Sequence, residues 1–203
     1  MIAASAKGAV VYRYKHSLYL NITNECTNDC VFCVRKFTRG LGGCVLWLQS
    51  EASADEILRE LSKELDDVTY EEIVFCGYGE PLIRLDTILK VTGAIKKRYP
   101  DLKVRVNTNG QAKLLYPNRN VAKELKDAGV DSISISMNAE NPKKYFEMCR
   151  PKFGRATYEK IIEFIKECKE HIPEVRVSVV EGYANIVECE RVANELGVGF
   201  KVR

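Results

Sequence analysis

The chain has 203 residues, 46% hydrophobic and 29% charged, with a formal net charge of +3. These are the proportions of a globular domain built on one core, and a charge so mild excludes a strongly basic nucleic-acid binder while leaving nucleic acid undecided as a partner. No run approaches membrane-spanning length and the opening MIAASAKGA lacks the apolar core of a secretory signal, so the expectation is one cytoplasmic domain over 1–203 with no membrane association. Eight cysteines in a reducing compartment argue against structural disulfides and direct attention to any tight group of them.

Taken in order, VVYRY and the alternating SLYLNIT form a hairpin through a Lys15–His16 turn, and the second strand runs directly into NECTNDCVFCV. SADEILRELSKELDD carries a capping box, Ser53 with Glu56, and places Ile57, Leu58, Leu61 and Leu65 at helical spacing. EEIVFCGYGEPL reads as a strand ending in a glycine loop, and DTILKVTGAIKKRY as an amphipathic helix capped by Asp86. The alternation continues. KVRVNTNG is a strand, VAKELKDAG a short helix closed by Gly129, DSISISMN a strand, and YEKIIEFIKECKEHI a helix from about Tyr158. EVRVSVV, the helix IVECERVANELG capped by Asn185 and Glu188, and the short strand GFKVR complete the chain. Six core strands alternating with helices predict an α/β protein with parallel strands, closing as a partial barrel or opening as a doubly wound sheet. In both, ligands collect at the carboxyl ends of the strands.

That rim gathers the unusual residues. Cys26, Cys30 and Cys33 follow strand one, Gly77, Gly79 and Glu80 follow strand two, Asn107, Thr108 and Asn109 end strand three, and Ser136 and Asn138 end strand four. Turn chemistry wants the same residue types, so any one group is ambiguous, whereas four groups beside three thiols favour a site. Zinc fits poorly: there is no second cysteine pair, and the only histidines are His16 and His171. A dithiol redox pair would use Cys30 and Cys33 and leave Cys26 unexplained. Three thiolates on a 4Fe-4S cluster would leave the fourth iron open, which makes a chemical site. The other five cysteines, Cys149 and Cys44 among them, suit packing, and a lone Trp47 suits a core or lid position.

The spacing C-x3-C-x2-C in CTNDCVFC, with Phe32 before the last cysteine, resembles the signature of the radical S-adenosylmethionine superfamily. GYGEP resembles its glycine-glutamate-proline loop, with Tyr78 where the commonest form has glycine; NTNG and SISMN resemble its strand-three and strand-four motifs. Across nearly the whole chain, SLYLNITNECTNDCVFCVRKF, FCGYGEPLIRLDT, VRVNTNGQA and CRPKFG are similar to the small radical proteins called TatD-associated. The resemblance implies a partial (β/α)6 TIM-like barrel with a possible N-terminal β-hairpin, a 4Fe-4S cluster on Cys26, Cys30 and Cys33, and bound S-adenosylmethionine. Gly77, Gly79 and Glu80 would face the methionine amino group, Asn107 and Thr108 the nucleoside or carboxylate, Ser136 and Asn138 the ribose, and Phe32 the adenine. It further implies reductive cleavage to a 5′-deoxyadenosyl radical, a low-potential flavodoxin or ferredoxin as electron donor, and an unspecified substrate. A glycyl-radical activase acting on a protein, or a non-catalytic iron-sulfur carrier or sensor, are the alternatives. Arg35, Lys36, Arg39, Arg84, Arg150, Lys152 and Arg155 lie on rim loops, where they would suit an anionic substrate or merely a solvated surface.

Overall fold

The computed structural model describes residues 8–41, 43–65 and 70–203; the opening MIAASAK, and Asp66 and Asp67 of the first expected helix, lie outside the described residues. The N-terminal hairpin forms as expected from β1 (Val11–Tyr14) and β2 (Ser17–Leu20), paired antiparallel, with Lys15 at φ 55° in the turn. After the cysteine loop comes a small ribbon, β3 (Gly40–Leu41) with β4 (Cys44–Val45), which the sequence reading did not separate from the loop. Then β5 (Glu72–Phe75), β6 (Lys103–Thr108), β7 (Ser132–Ser136), β8 (Glu174–Val179) and β9 (Gly199–Val202) follow, each parallel to the last.

The sheet order is β1-β2-β5-β6-β7-β8-β9, with β2 parallel to β5. Among the described residues, six parallel strands in sequence order with an antiparallel hairpin strand on one edge make an open half barrel, in which the edges β1 and β9 do not pair. The helices α1 (Ala54–Leu65), α2 (Leu85–Arg98), α3 (Ala112–Leu115), α4 (Val121–Ala128), α5 (Pro142–Cys149), α6 (Thr157–His171) and α7 (Ile186–Leu196) fill the crossovers.

Local chemistry explains the helix ends. The Ser53–Glu56 box closes in both directions, Glu56 Oε2 accepting from the Ser53 amide at 2.7 Å. Asn185 caps α7 by accepting from the Glu188 amide, and Gly129 ends α4 at φ 103°. The Asp86 cap is corrected: α2 begins at Leu85, and Asp86 sits inside the first turn, where it pairs with Arg119 at 2.8 Å. Helices α3 and α5 were not foreseen; α3 is a single turn, and α5, capped by Asn141, follows the strand ending without the glycine stop that marked α4.

Strand parity sorts the side chains. Leu18, Leu20, Ile73, Phe75, Val104, Val106, Ile133, Ile135, Val177 and Val179 are all buried in one core with the helices. The alternate residues, including Tyr19, Val74, Arg105, Asn107, Ser132, Ser134, Ser136, Arg176 and Ser178, face the inside of the half barrel. Among the described residues no helix is long and apolar enough to cross a membrane.

Candidate active site

The cysteine loop leaves β2 and is fastened at both sides of the rim. Main-chain bonds run from Asp29 N to Cys149 O (3.0 Å) and from Val31 N to Met148 O (2.9 Å), laying the loop along the end of α5. Beneath it a buried polar network ties three segments together: Asn28 Nδ2 donates to the Tyr145 hydroxyl at 2.9 Å, and Gln111 Nε2 donates to Asn28 Oδ1 at 2.5 Å. Asn109 Nδ2 donates to Thr27 Oγ1 at 2.8 Å and approaches Cys26 Sγ at 3.9 Å. Asn28, Gln111 and Tyr145 escaped the sequence reading because Asn28 and Gln111 stand beside the motif residues at positions the motifs leave open and Tyr145 is in no motif; only their burial together marks them.

The glycine loop is joined to the cysteine loop by backbone. Gly79 N donates to Thr23 O at 3.0 Å and Glu80 N to Glu25 O at 2.7 Å. This gives the reason for the two glycines. A Cβ on Gly77 would lie 1.9 Å from Asn21 Oδ1, and one on Gly79 would lie 2.4 Å from Glu25 O and 2.5 Å from Thr23 O. Their missing side chains admit the neighbouring loop itself. Tyr78 is buried with Tyr12 and Leu46, its amide bound to Asn21 Oδ1 and its hydroxyl to Thr38 O, so its ring points away from Glu80.

Glu80 is 3% exposed. Its Oε1 accepts from Leu82 N (3.0 Å) and Thr108 Oγ1 (2.6 Å), and its Oε2 from Asn109 N (2.6 Å). A carboxylate has about four lone-pair directions, so three internal donors leave room for one more on Oε2. Burial raises its pKa from 4.5 to about 7, against the lowering influence of these donors. The carboxyl group is thus both a clamp between the β5 and β6 loops and a group whose charge wants a further cation.

The structure brings the three cysteines onto one half-buried loop, each thiol free of disulfide, but their thiols turn to different neighbours. Cys26 Sγ accepts from the Asn28 amide at 3.5 Å, while Cys30 faces the Cys149 thiol, which raises its pKa. Among the described residues no three cysteine, histidine or acidic side chains converge as a metal site. Burial pushes the Cys26 thiol up to about 11, and Cys30 is pushed well above its ordinary range, first by the Cys149 hydrogen bond and then by burial. Neutral thiols are the expected form where no metal charge offsets desolvation, and metal ligation reverses that balance. By donor chemistry the set fits an iron-sulfur cluster with three protein ligands; gathering it requires the Cys30 thiol to turn from Cys149.

The remaining predicted contacts are partly together. Ser136 ends β7, whereas Asn138 lies beyond the strand at φ 59°, not two places along it; both nevertheless converge, receiving Arg203 Nη2 at 3.3 Å and 3.1 Å. Asn138 Nδ2 also points at Cys149 Sγ, 3.6 Å away. Thr108 is spent on Glu80 and the Gly110 amide, but Asn107 Oδ1 is buried without a partner. Phe32 stacks at a tilt on Tyr183, ring centroids 5.0 Å apart, adding an aromatic from the loop after β8 that no motif had suggested.

Trp47 is 52% exposed, 6.3 Å from the Tyr78 ring, so it is not a core residue. The rim cations are mostly engaged: Arg84 donates to Ile22 O and Ala52 O, Arg35 to Asn24 O, Lys36 pairs with Asp29, and Arg155 lies over the Phe146 ring.

The Radical SAM superfamily model matches residues 20–192. The chain belongs to the radical SAM superfamily. Its relatives include a probable GTP 3',8-cyclase of Methanosarcina acetivorans, 30% identical over 155 residues that make up 75% of this chain and 41% of that one. Another, from Thermococcus kodakarensis with the same description, is 28% identical over 80% of this chain and 47% of its own length. The chain therefore spans about half or less of these relatives. SuiB of Streptococcus suis, solved with its precursor peptide SuiA, superposes with a TM-score of 0.70 at 19% identity, over 95% of this chain and 40% of that one. That likeness establishes the half-barrel fold. The cofactors of this superfamily are a 4Fe-4S cluster and S-adenosylmethionine, and its members named here are enzymes. The superfamily is assigned and no subgroup within it.

Proposed function

We propose that this chain is a core domain that cleaves S-adenosylmethionine reductively and uses the product for hydrogen abstraction from a substrate held inside the half barrel. The observation that carries this reading is the junction of the two loops: Glu80, buried and short of one cation, is hydrogen-bonded by its own amide to Glu25, the residue beside Cys26. A carrier or sensor would use this carboxylate only as a clamp between loops and leave its open position on Oε2 without a partner.

In this reading Cys26, Cys30 and Cys33 hold three irons, and Glu80 Oε2 accepts from the methionine ammonium as a charge-assisted hydrogen bond. Asn107, Ser136 and Asn138 serve the nucleoside end, Arg203 moving off the last two, and Phe32 with Tyr183 offers an aromatic wall for adenine. When bound, the reduced cluster and S-adenosylmethionine supply one-electron cleavage of a sulfonium bond. The chain's own residues orient the sulfonium, exclude water and place the substrate carbon within reach. The electron comes from an external low-potential donor of the flavodoxin or ferredoxin kind.

The test is anaerobic loading with iron and sulfide, reduction by dithionite, and chromatography for 5′-deoxyadenosine after adding S-adenosylmethionine. Wild type releases it and Cys30→Ala does not. A loaded, reducible cluster that releases none in wild type overturns the proposal in favour of electron carriage.

A further inference from the structure

The inner face of the half barrel carries cations that no rim motif contains. Arg105 on β6 is 7% exposed and its Nη2 meets Glu72 Oε1 at 2.6 Å, but its Nε is buried without an acceptor. Arg176 on β8 likewise has a buried Nε without an acceptor, and makes no ion pair among the described residues. Lys201 on β9, exposed at the barrel mouth, is also unpaired among them. These groups feel one another. Arg176 is held below its ordinary range by burial and then by Arg105; Lys201 is lowered by burial, then Arg176 and Arg105, with Lys15 and Arg203 adding to the repulsion.

The acidic groups on the same face are already spent. Glu72 holds Arg105 and is near Ser17, and Glu174, in the row of Arg105 and Ser132, holds Lys103 at 2.9 Å. Between the cations the strands present Ser132, Ser134 and Ser178, short buried hydroxyl side chains. A buried guanidinium N–H without an acceptor beside a like charge is costly, and a folded chain keeps such a group where a ligand supplies the missing anion.

The strand register puts Arg176 and Lys201 level with residues assigned to the cofactor, and Arg105 one row deeper, beside Ser132 and Glu174. Asn107, Ser134 and Arg176 form one row across β6, β7 and β8; Ser136, Ser178 and Lys201 form the next across β7, β8 and β9. In each of these two rows the cation stands two strand spacings from the cofactor residue, a span of about 10 Å. That is the reach of a small molecule with an anionic end on the cations and a carbon near the cleaving bond.

We propose that the inner face binds a phosphate-bearing small molecule as substrate, its phosphate held by Arg105, Arg176 and Lys201. The assignment rests on the radical-enzyme reading above and supplies the substrate class that it lacks. Several cations at different depths suit a phosphate or diphosphate, which carries more charge and more acceptors than one carboxylate.

The experiment is isothermal titration calorimetry of the cluster-loaded full chain with inorganic pyrophosphate. Wild type binds, and Kd rises roughly tenfold in Arg176→Gln and again in Lys201→Gln, each removing one charge-assisted contact. Neither residue holds a partner that its loss would orphan, unlike Arg105. Lys123→Gln, which removes the same charge from the far surface, leaves Kd unchanged. Absence of binding in wild type, an equal loss in Lys123→Gln, or citrate binding as tightly as pyrophosphate overturns the proposal. Titration needs neither reduction nor S-adenosylmethionine, so wild type that binds pyrophosphate but releases no 5′-deoxyadenosine sinks the enzyme reading alone. Wild type that releases it without binding pyrophosphate sinks only the substrate class.

Discussion

The two faces of the sheet are made from the same strands and have opposite chemistry. Outward, β5 to β8 offer Ile73, Phe75, Val104, Val106, Ile133, Ile135, Val177 and Val179 to the helices; inward, β6 to β8 offer Arg105, Asn107, three serines, Arg176 and Ser178. Parallel sheets covered on both faces are normally apolar on both. Here the inner residues alternate with the core like those of a sheet with one wet face. The difference teaches that folding energy comes from the outer face, while the inner face is kept polar for what it binds.

The sharpest way to break that contrast is a pair of substitutions one strand apart. Ile135→Ala removes a fully buried branched side chain from the outer core and should cost about 4 kcal/mol by urea denaturation. Arg176→Met, a cation without an ion pair among the described residues, should change stability by less than about 0.5 kcal/mol or raise it, because it relieves repulsion with Arg105. A large loss for Arg176→Met would mean that the inner face is structural after all.

A smaller effect tests whether the site loops belong to the rigid or the adaptable side of the contrast. Gly79→Ala drives a methyl group against two backbone carbonyls, which cannot swing aside as a side chain can, and should cost roughly 2 kcal/mol. Gly77→Ala meets chiefly the Asn21 side chain and should cost less. If Gly79→Ala melts with the wild type, the junction of the two loops is looser than its hydrogen bonds imply.

Much of this arrangement was legible in the sequence. Apolar positions at period two against period 3.6 located every parallel strand and all the long helices, and the spacing of the cysteines with GYGEP and SISMN located the rim. What escaped was three-dimensional. Arg105 and Arg176 sit in different strands 71 positions apart, and nothing local distinguishes a strand arginine facing a groove from one facing water. The glycines were found, but their reason was not, since a close approach to Asn21 and Glu25 depends on how one loop crosses another. Rim loops rich in arginine drew attention because they adjoin motifs, yet Arg84 and Arg35 hold backbone carbonyls instead.

Glu80 belongs to both faces of the argument, as clamp and as ligand, and pH separates the roles. Burial raises its folded pKa from 4.5 to about 7. Its protonation therefore adds stability that is complete below the unfolded value and is lost as pH rises through about 7. Binding an ammonium has the opposite sign, since it needs the carboxylate. Affinity for S-adenosylmethionine, followed by calorimetry on the loaded protein, should fall towards tenfold per unit as pH drops below about 7, and Glu80→Gln should be weak throughout and flat over that window. A wild-type affinity that does not change across it would show that Glu80 serves only as the clamp.

The smallest effect concerns a glycine on the scaffold. Gly93 lies on the solvent side of α2, in mid-helix, and a Cβ there meets nothing within 4 Å. Unlike Gly79 it makes room for no neighbour, so its only energetic consequence is the extra freedom it gives the unfolded chain and the weaker helix it makes. Gly93→Ala should raise stability by about 0.5 to 1 kcal/mol with the denaturant slope unchanged. Set beside Gly79→Ala, it gives opposite signs from one chemical change, which holds only if the tight packing at Gly79 belongs to the site and not to glycines of this fold in general; a loss at both positions would remove that distinction.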